Sequence, residues 1–114
     1  MNWYIAKIVF RITTEKAGRP QFDEHLRLLS ARNFDEAFLK ARMLGIKEED
    51  SFLNDCNESV KWEFINVSEL HPIDDLRDGS ELHSQIHETD EASAYINLVH
   101  QRAVIMQTLA QPQF

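Results

Sequence analysis

Cysteine is nearly absent. Cys56 is the only one in 114 residues, so no intrachain disulfide can staple the fold. A lone thiol suits a reducing compartment, and the expectation is a cytoplasmic protein. Glycine and proline number three each, too few for a glycine-rich phosphate loop or a proline-rich linker. No run of about 18 apolar residues occurs, so no membrane span is expected. Lys7 and Arg11 interrupt the apolar N-terminus, which therefore does not read as a signal peptide. Basic charge is in deficit, with 12 Lys and Arg against 19 Asp and Glu and a net charge of −7. That balance opposes a general nucleic-acid or anionic-membrane binder.

What remains is an ordinary globular composition, 43% hydrophobic and 27% charged, at a length that suits one domain. Residues 3–12 alternate with a period of two. Tyr4, Ala6, Ile8, Phe10 and Ile12 share one face of a strand, and Trp3, Ile5, Lys7, Val9 and Arg11 the other. Gly18-Arg19-Pro20 marks a turn, and 22–31 reads as the returning strand of a hairpin. Phe22, Leu26 and Leu28 fall on one side of it, with His25, Arg27 and Leu29 on the other.

Asn33 has the character of a helix N-cap, with Glu36 three residues on. Phe34, Ala37, Phe38, Ala41 and Leu44 recur at helical spacing, which predicts a helix over 34–44 ended by Gly45 in a left-handed conformation. A short strand is expected near Ser51–Asn54, followed by a turn. A long strand is expected over 59–70, stopped by Pro72, with Val60, Trp62 and Phe64 on one face and Lys61, Glu63, Ile65 and Val67 on the other. Asp74, Asp75, Asp78 and Gly79 form a turn, and 81–87 reads as an edge strand with Leu82 and Ile86 inward. A final helix spans about 90–110, with Thr89 as its cap and Pro112 beyond its end.

The pattern predicts an α+β fold: a mainly antiparallel sheet of four or five strands, one helix packed on its apolar face, and a long C-terminal helix. Residues 1–88 form the sheet region and 89–114 the helix, within a single domain overall. The expected core joins Phe10, Leu28, Phe38, Leu44, Trp62 and Phe64. The C-terminal helix is apolar on more than one side, through Ala92, Tyr95, Ile96, Val99, Ala103, Met106 and Ala110, and through Leu98, Ile105 and Leu109. The second sheet face is also too apolar for water. That helix is therefore expected to cover the sheet or to pair with a partner chain, and a homodimer is the expectation.

Four short motifs occur in order: Trp3-Tyr4-x-Ala6-Lys7 with Phe10; Glu36-Ala37 with Lys40-Ala41 and Gly45; Val60-x-Trp62-x-Phe64; and Asp78-Gly79-Ser80-Glu81-Leu82. Together they resemble a bacterial family, domain of unknown function 4288, over roughly residues 2–86. The resemblance implies a small stand-alone bacterial protein and brings no activity with it. The helix after residue 88 lies outside the resemblance.

Chemistry is sparse. His83 and His87 would stand about 13 Å apart on a strand, too far to share an ion. Cys56 sits among Asn, Asp and Glu, where negative charge disfavours a thiolate. No catalytic residue, metal ligand or cofactor is assigned. Trp3, Lys7 and Glu63 on the mixed sheet face could form a small ligand pocket, although a cross-strand ion pair beneath Trp3 explains the same residues.

Charge is unevenly spread. Residues 1–47 carry net +4, residues 48–91 net −12, and residues 92–114 net +1. Asp74, Asp75 and Asp78 lie in that acidic stretch, together with Glu48, Glu49, Asp50, Asp55 and Glu58. The two acidic groups either bracket the strand at 59–70 or converge. The leading expectation is a non-enzymatic interaction module whose acidic face meets a basic protein. The alternative is a small-molecule-binding or catalytic domain at Trp3, Lys7 and Glu63.

Overall fold

A computed structural model describes residues 1–16 and 18–109. Four strands form one antiparallel sheet in the order β2-β1-β4-β3: β1 (Asn2–Thr14), β2 (Gln21–Ala31), β3 (Asp50–Leu53) and β4 (Ser59–Ile73). Helix α1 (Phe34–Lys47) links β2 to β3, and α2 (Ala92–Leu109) follows β4. The class is α+β, as the alternation and helical spacing predicted. The chain divides into two compact units, the first being Met1–His83 and the second beginning at Ser84.

Strand β1 places Tyr4, Ala6, Ile8 and Phe10 on its buried face, each 5% exposed or less. Ala6, Ile8 and Phe10 cluster with Leu29 and Ala41, with Leu44, Trp62, Phe64, Val67 and Leu70 at the border, while Tyr4 clusters with Ala31 and Ala37. Phe38 is half-buried. Ala37, Ala41 and Gly45, spaced by four, form the stripe of α1 that is buried, and their small size lets the helix lie close to the strands. Asn33 caps α1 by accepting the Glu36 backbone N–H at 2.8 Å. The Glu36 side chain turns to Arg32 and does not complete a reciprocal capping box.

Gly45 does not end the helix. It lies within α1, and a Cβ there would stand 2.4 Å from two Phe64 ring carbons and 3.0 Å from Ile8 Cγ2. Glycine is required by close approach, not by a left-handed backbone, and the cap is Glu48.

The facing of β2 is the reverse of the expected one. Directly opposed residues share a face, and the register sets Leu29 against Tyr4 and Leu28 against Ile5. Leu29 is therefore core, while Leu28 is 52% exposed on the second face with Phe22 and Leu26. The more apolar side of β2 is thus the outer one.

Strand β4 changes parity twice. Register shifts opposite Lys7/Ile8 and Val9/Phe10 leave Ser68 and Ile65 as extra residues. Val67 therefore joins Trp62 and Phe64 on the core side instead of opposing them. β4 also runs past Pro72, which pairs with Tyr4. Because β3 pairs only with Ser59 to Trp62, β4 has one neighbour at the proline, an edge position where a missing N–H is tolerated.

Residues 81–87 form no strand, and Ile86 is 91% exposed instead of inward. Thr89 does accept a backbone N–H, that of Glu91, before α2 begins. Ala110 and Pro112 lie outside the described residues.

Candidate functional site

The second sheet face is built from the odd-numbered residues of β1 and their partners. Lys7 lies opposite Glu69 of β4 and Leu26 of β2. Its ammonium sits 2.9 Å from Glu69 Oε2 and 3.5 Å from Glu24. Glu63 is not its partner: it lies opposite Arg11, four positions along β1, and borders a hollow of about 370 Å³ with Glu49, Asp50, Ser51, Lys61 and Trp62. Trp3 lies at the other end of this face, opposite Ile73. The three residues thus spread along the strand, and the charge partner that Lys7 finds is Glu69.

Glu69 is the centre of a larger group. Its Oε1 lies 3.0 Å from His71 Nε2 and 3.7 Å from His83 Nε2. His71 reaches it because residues two apart share a strand face. His83 arrives differently, since the chain folds back after β4 and lays its ring on His71, with centroids 3.7 Å apart and planes 23° from parallel. Ile73, two positions from His71, is only 6% exposed. Hydrogen bonds from Lys7 and then from His71 hold the Glu69 carboxyl at about 2, against the opposing effect of partial desolvation. The bond to Glu69 raises Lys7 in turn. Glu69 is therefore a carboxylate at any physiological pH, shared between an ammonium on one oxygen and two imidazoles on the other.

His87 does not join this group and stacks on Tyr95, centroids 4.8 Å apart. The pairing that matters is His71 with His83, twelve residues away. In the sequence neither Glu69 nor His71 stands out, because the expected strand stops at 70, one residue short of His71, and nothing local marks the return that brings His83 to them.

The two acidic groups bracket β4 and do not converge. Asp55 and Glu58 precede its first residue, and Asp74, Asp75 and Asp78 follow its last. Fifteen strand residues separate these ends, about 45–50 Å at the usual rise. Asp74, Asp75 and Asp78 are exposed, and Asp75 pairs with Arg77. Of the basic side chains, Arg27 pairs with Glu48 and Arg32 with Glu36. Among the described residues no helix is long and apolar enough to cross a membrane.

Searches of curated proteins and of solved structures each return no match. A family model does match: it spans residues 3–84, the sheet, α1, and the return that carries His83, and by it the chain belongs to the family Domain of unknown function (DUF4288).

Proposed function

We propose that the protein is a non-enzymatic interaction module that assembles as a homodimer through α2. The observation that carries this reading is that none of the eighteen residues of α2 is buried, although Tyr95, Ile96, Leu98, Val99, Val104, Ile105, Met106 and Leu109 are all apolar and 42–81% exposed. A helix apolar on several sides needs cover, because most helical stability in proteins comes from packing the apolar face and not from propensity.

A second copy of the same helix supplies that cover. Ala92, Ile96, Val99, Ala103 and Met106 recur at spacings of four and three, the heptad seam of paired helices. An antiparallel pairing about Val99 sets Ala92 against Met106 and brings Ala103 within one residue of facing Ile96, small against large. Such a seam is self-complementary, as a two-fold interface must be. Leu98, Ile105 and Leu109 form a second seam for further packing.

The partner of the dimer is a basic protein, met by the exposed loop of Asp74, Asp75 and Asp78. Rim charges of one sign steer a partner of the other sign.

Light-scattering mass across a concentration series tests the assembly. The full chain should give a dimer, and Ile96→Glu with Val99→Glu should give a monomer. A wild-type chain that stays monomeric at the highest soluble concentration rejects the reading.

A further inference from the structure

We infer that Glu69, His71 and His83 form a binding site for one divalent transition-metal ion of the zinc type. Each offers one ligand atom, and the three atoms lie within 4.8 Å of one another. Two imidazole nitrogens and a carboxylate oxygen are a donor set that zinc and its neighbours favour. Bonds of about 2.0–2.2 Å place adjacent ligand atoms of a tetrahedral ion about 3.3–3.6 Å apart. The Glu69 oxygen stands 3.0 and 3.7 Å from the two ring nitrogens, on either side of that range.

The surroundings favour a cation as well. Lys7 occupies Oε2 of Glu69, leaving Oε1 to the imidazoles, so the carboxylate binds through one oxygen and is oriented through the other. Glu24 offsets the Lys7 charge, and with Glu69 the local balance is negative. The two rings lie nearly parallel, and binding turns them to converge on one point. His83 can make that turn, because it belongs to no helix or strand. Three protein ligands leave a fourth position for water.

The ion would be a clip. His71 is on β4 and His83 ends the return segment, so coordination closes the loop that carries Asp74, Asp75 and Asp78. Metal occupancy would therefore order the acidic loop. This inference stands apart from dimerisation, since no ligand lies on α2.

Calorimetric titration of the untagged full-length chain with zinc chloride near neutral pH tests the site, with cobalt(II) visible absorption as a report on nitrogen and oxygen donors. One ion per chain should bind. His71→Ala and His83→Ala should each weaken binding about tenfold or more, since losing a ligand costs at least what losing a supporting residue costs. His25→Ala, His87→Ala and His100→Ala should leave it unchanged. Zinc should also slow amide exchange over residues 74–83. His83 is exposed and outside regular structure, so His83→Ala should keep the native circular dichroism and any loss is a loss of ligand. No saturable binding by the wild-type chain, or binding equally tight to His83→Ala, overturns the inference.

Discussion

Trp62 donates its indole N–H to Asp23 at 3.1 Å, joining β4 to β2 across the strand between them. Phe10 of β1 lies under this bridge, opposite Asp23 in the register. His25 shares the same Asp23 oxygen at 2.7 Å and rests its ring on Phe10. The end of the core beyond α1 is thus roofed by a polar network instead of apolar side chains.

That roof should respond to acid. Partial burial pushes the Asp23 carboxyl up, but hydrogen bonds from Trp62 and His25 outweigh it, and the net shift is downward from 3.8. A carboxyl depressed in the fold contributes stability above its unfolded value and loses it as pH falls through the folded one. Asp23→Asn should cost about 1 kcal/mol at neutral pH. In denaturant titrations its deficit against the wild-type chain should shrink below about pH 4. A deficit that is constant down to pH 2 would assign the effect to packing.

Gly45 and Phe64 should behave as a coupled pair. Gly45→Ala should destabilise by about 1–3 kcal/mol through overpacking against the Phe64 ring. Phe64→Ala should cost about 3 kcal/mol, the low end for a core aromatic because the ring is half-buried. The double variant should be less damaged than the sum by about 1 kcal/mol or more, since the smaller side chain opens room for the new methyl. Additive losses would place the helix farther from the sheet.

Two adjacent leucines separate the facings of β2. Leu29→Ala should cost about 2–4 kcal/mol and Leu28→Ala about 0.5 kcal/mol or less. Equal losses from the two would mean that something covers the second face in solution.

Charge at the 74–78 loop should set encounter rate. Changing Asp74, Asp75 and Asp78 to Asn should slow association with a basic partner more than it speeds dissociation. The same association should weaken with added salt, as the screening length falls below about 8 Å. Stopped-flow or surface-binding kinetics on the full chain measure both. Unchanged association would leave the loop a solubilising surface.

Much of the architecture was legible because its periods are unbroken. β1 alternates without a fault, and the Asn33 cap with small and apolar residues at helical spacing marks α1. Three features were hidden for physical reasons. In β2 the apolar count points outward, and facing follows from cross-strand register, which its own residues do not encode. In β4 the two bulges reverse parity at Ile65 and Ser68, positions that look like any others in a strand. The cluster at Glu69 depends on a return of the chain in space, and spacing along the sequence pairs His83 with the wrong histidine.

The sheet order also has a consequence in time. β1 pairs with both β2 and β4, yet β2 begins seven residues after β1 ends and β4 begins forty-five after it. The hairpin needs only a short loop closure, a microsecond event. The β1–β4 pairing must close a far longer one, and contacts of such separation make folding slow. On a ribosome, β1 would emerge first and wait through β2, α1 and β3 with one edge unsatisfied. Of the four strands, the one with the largest share of the core is thus made before the other three and is among the last to be completed.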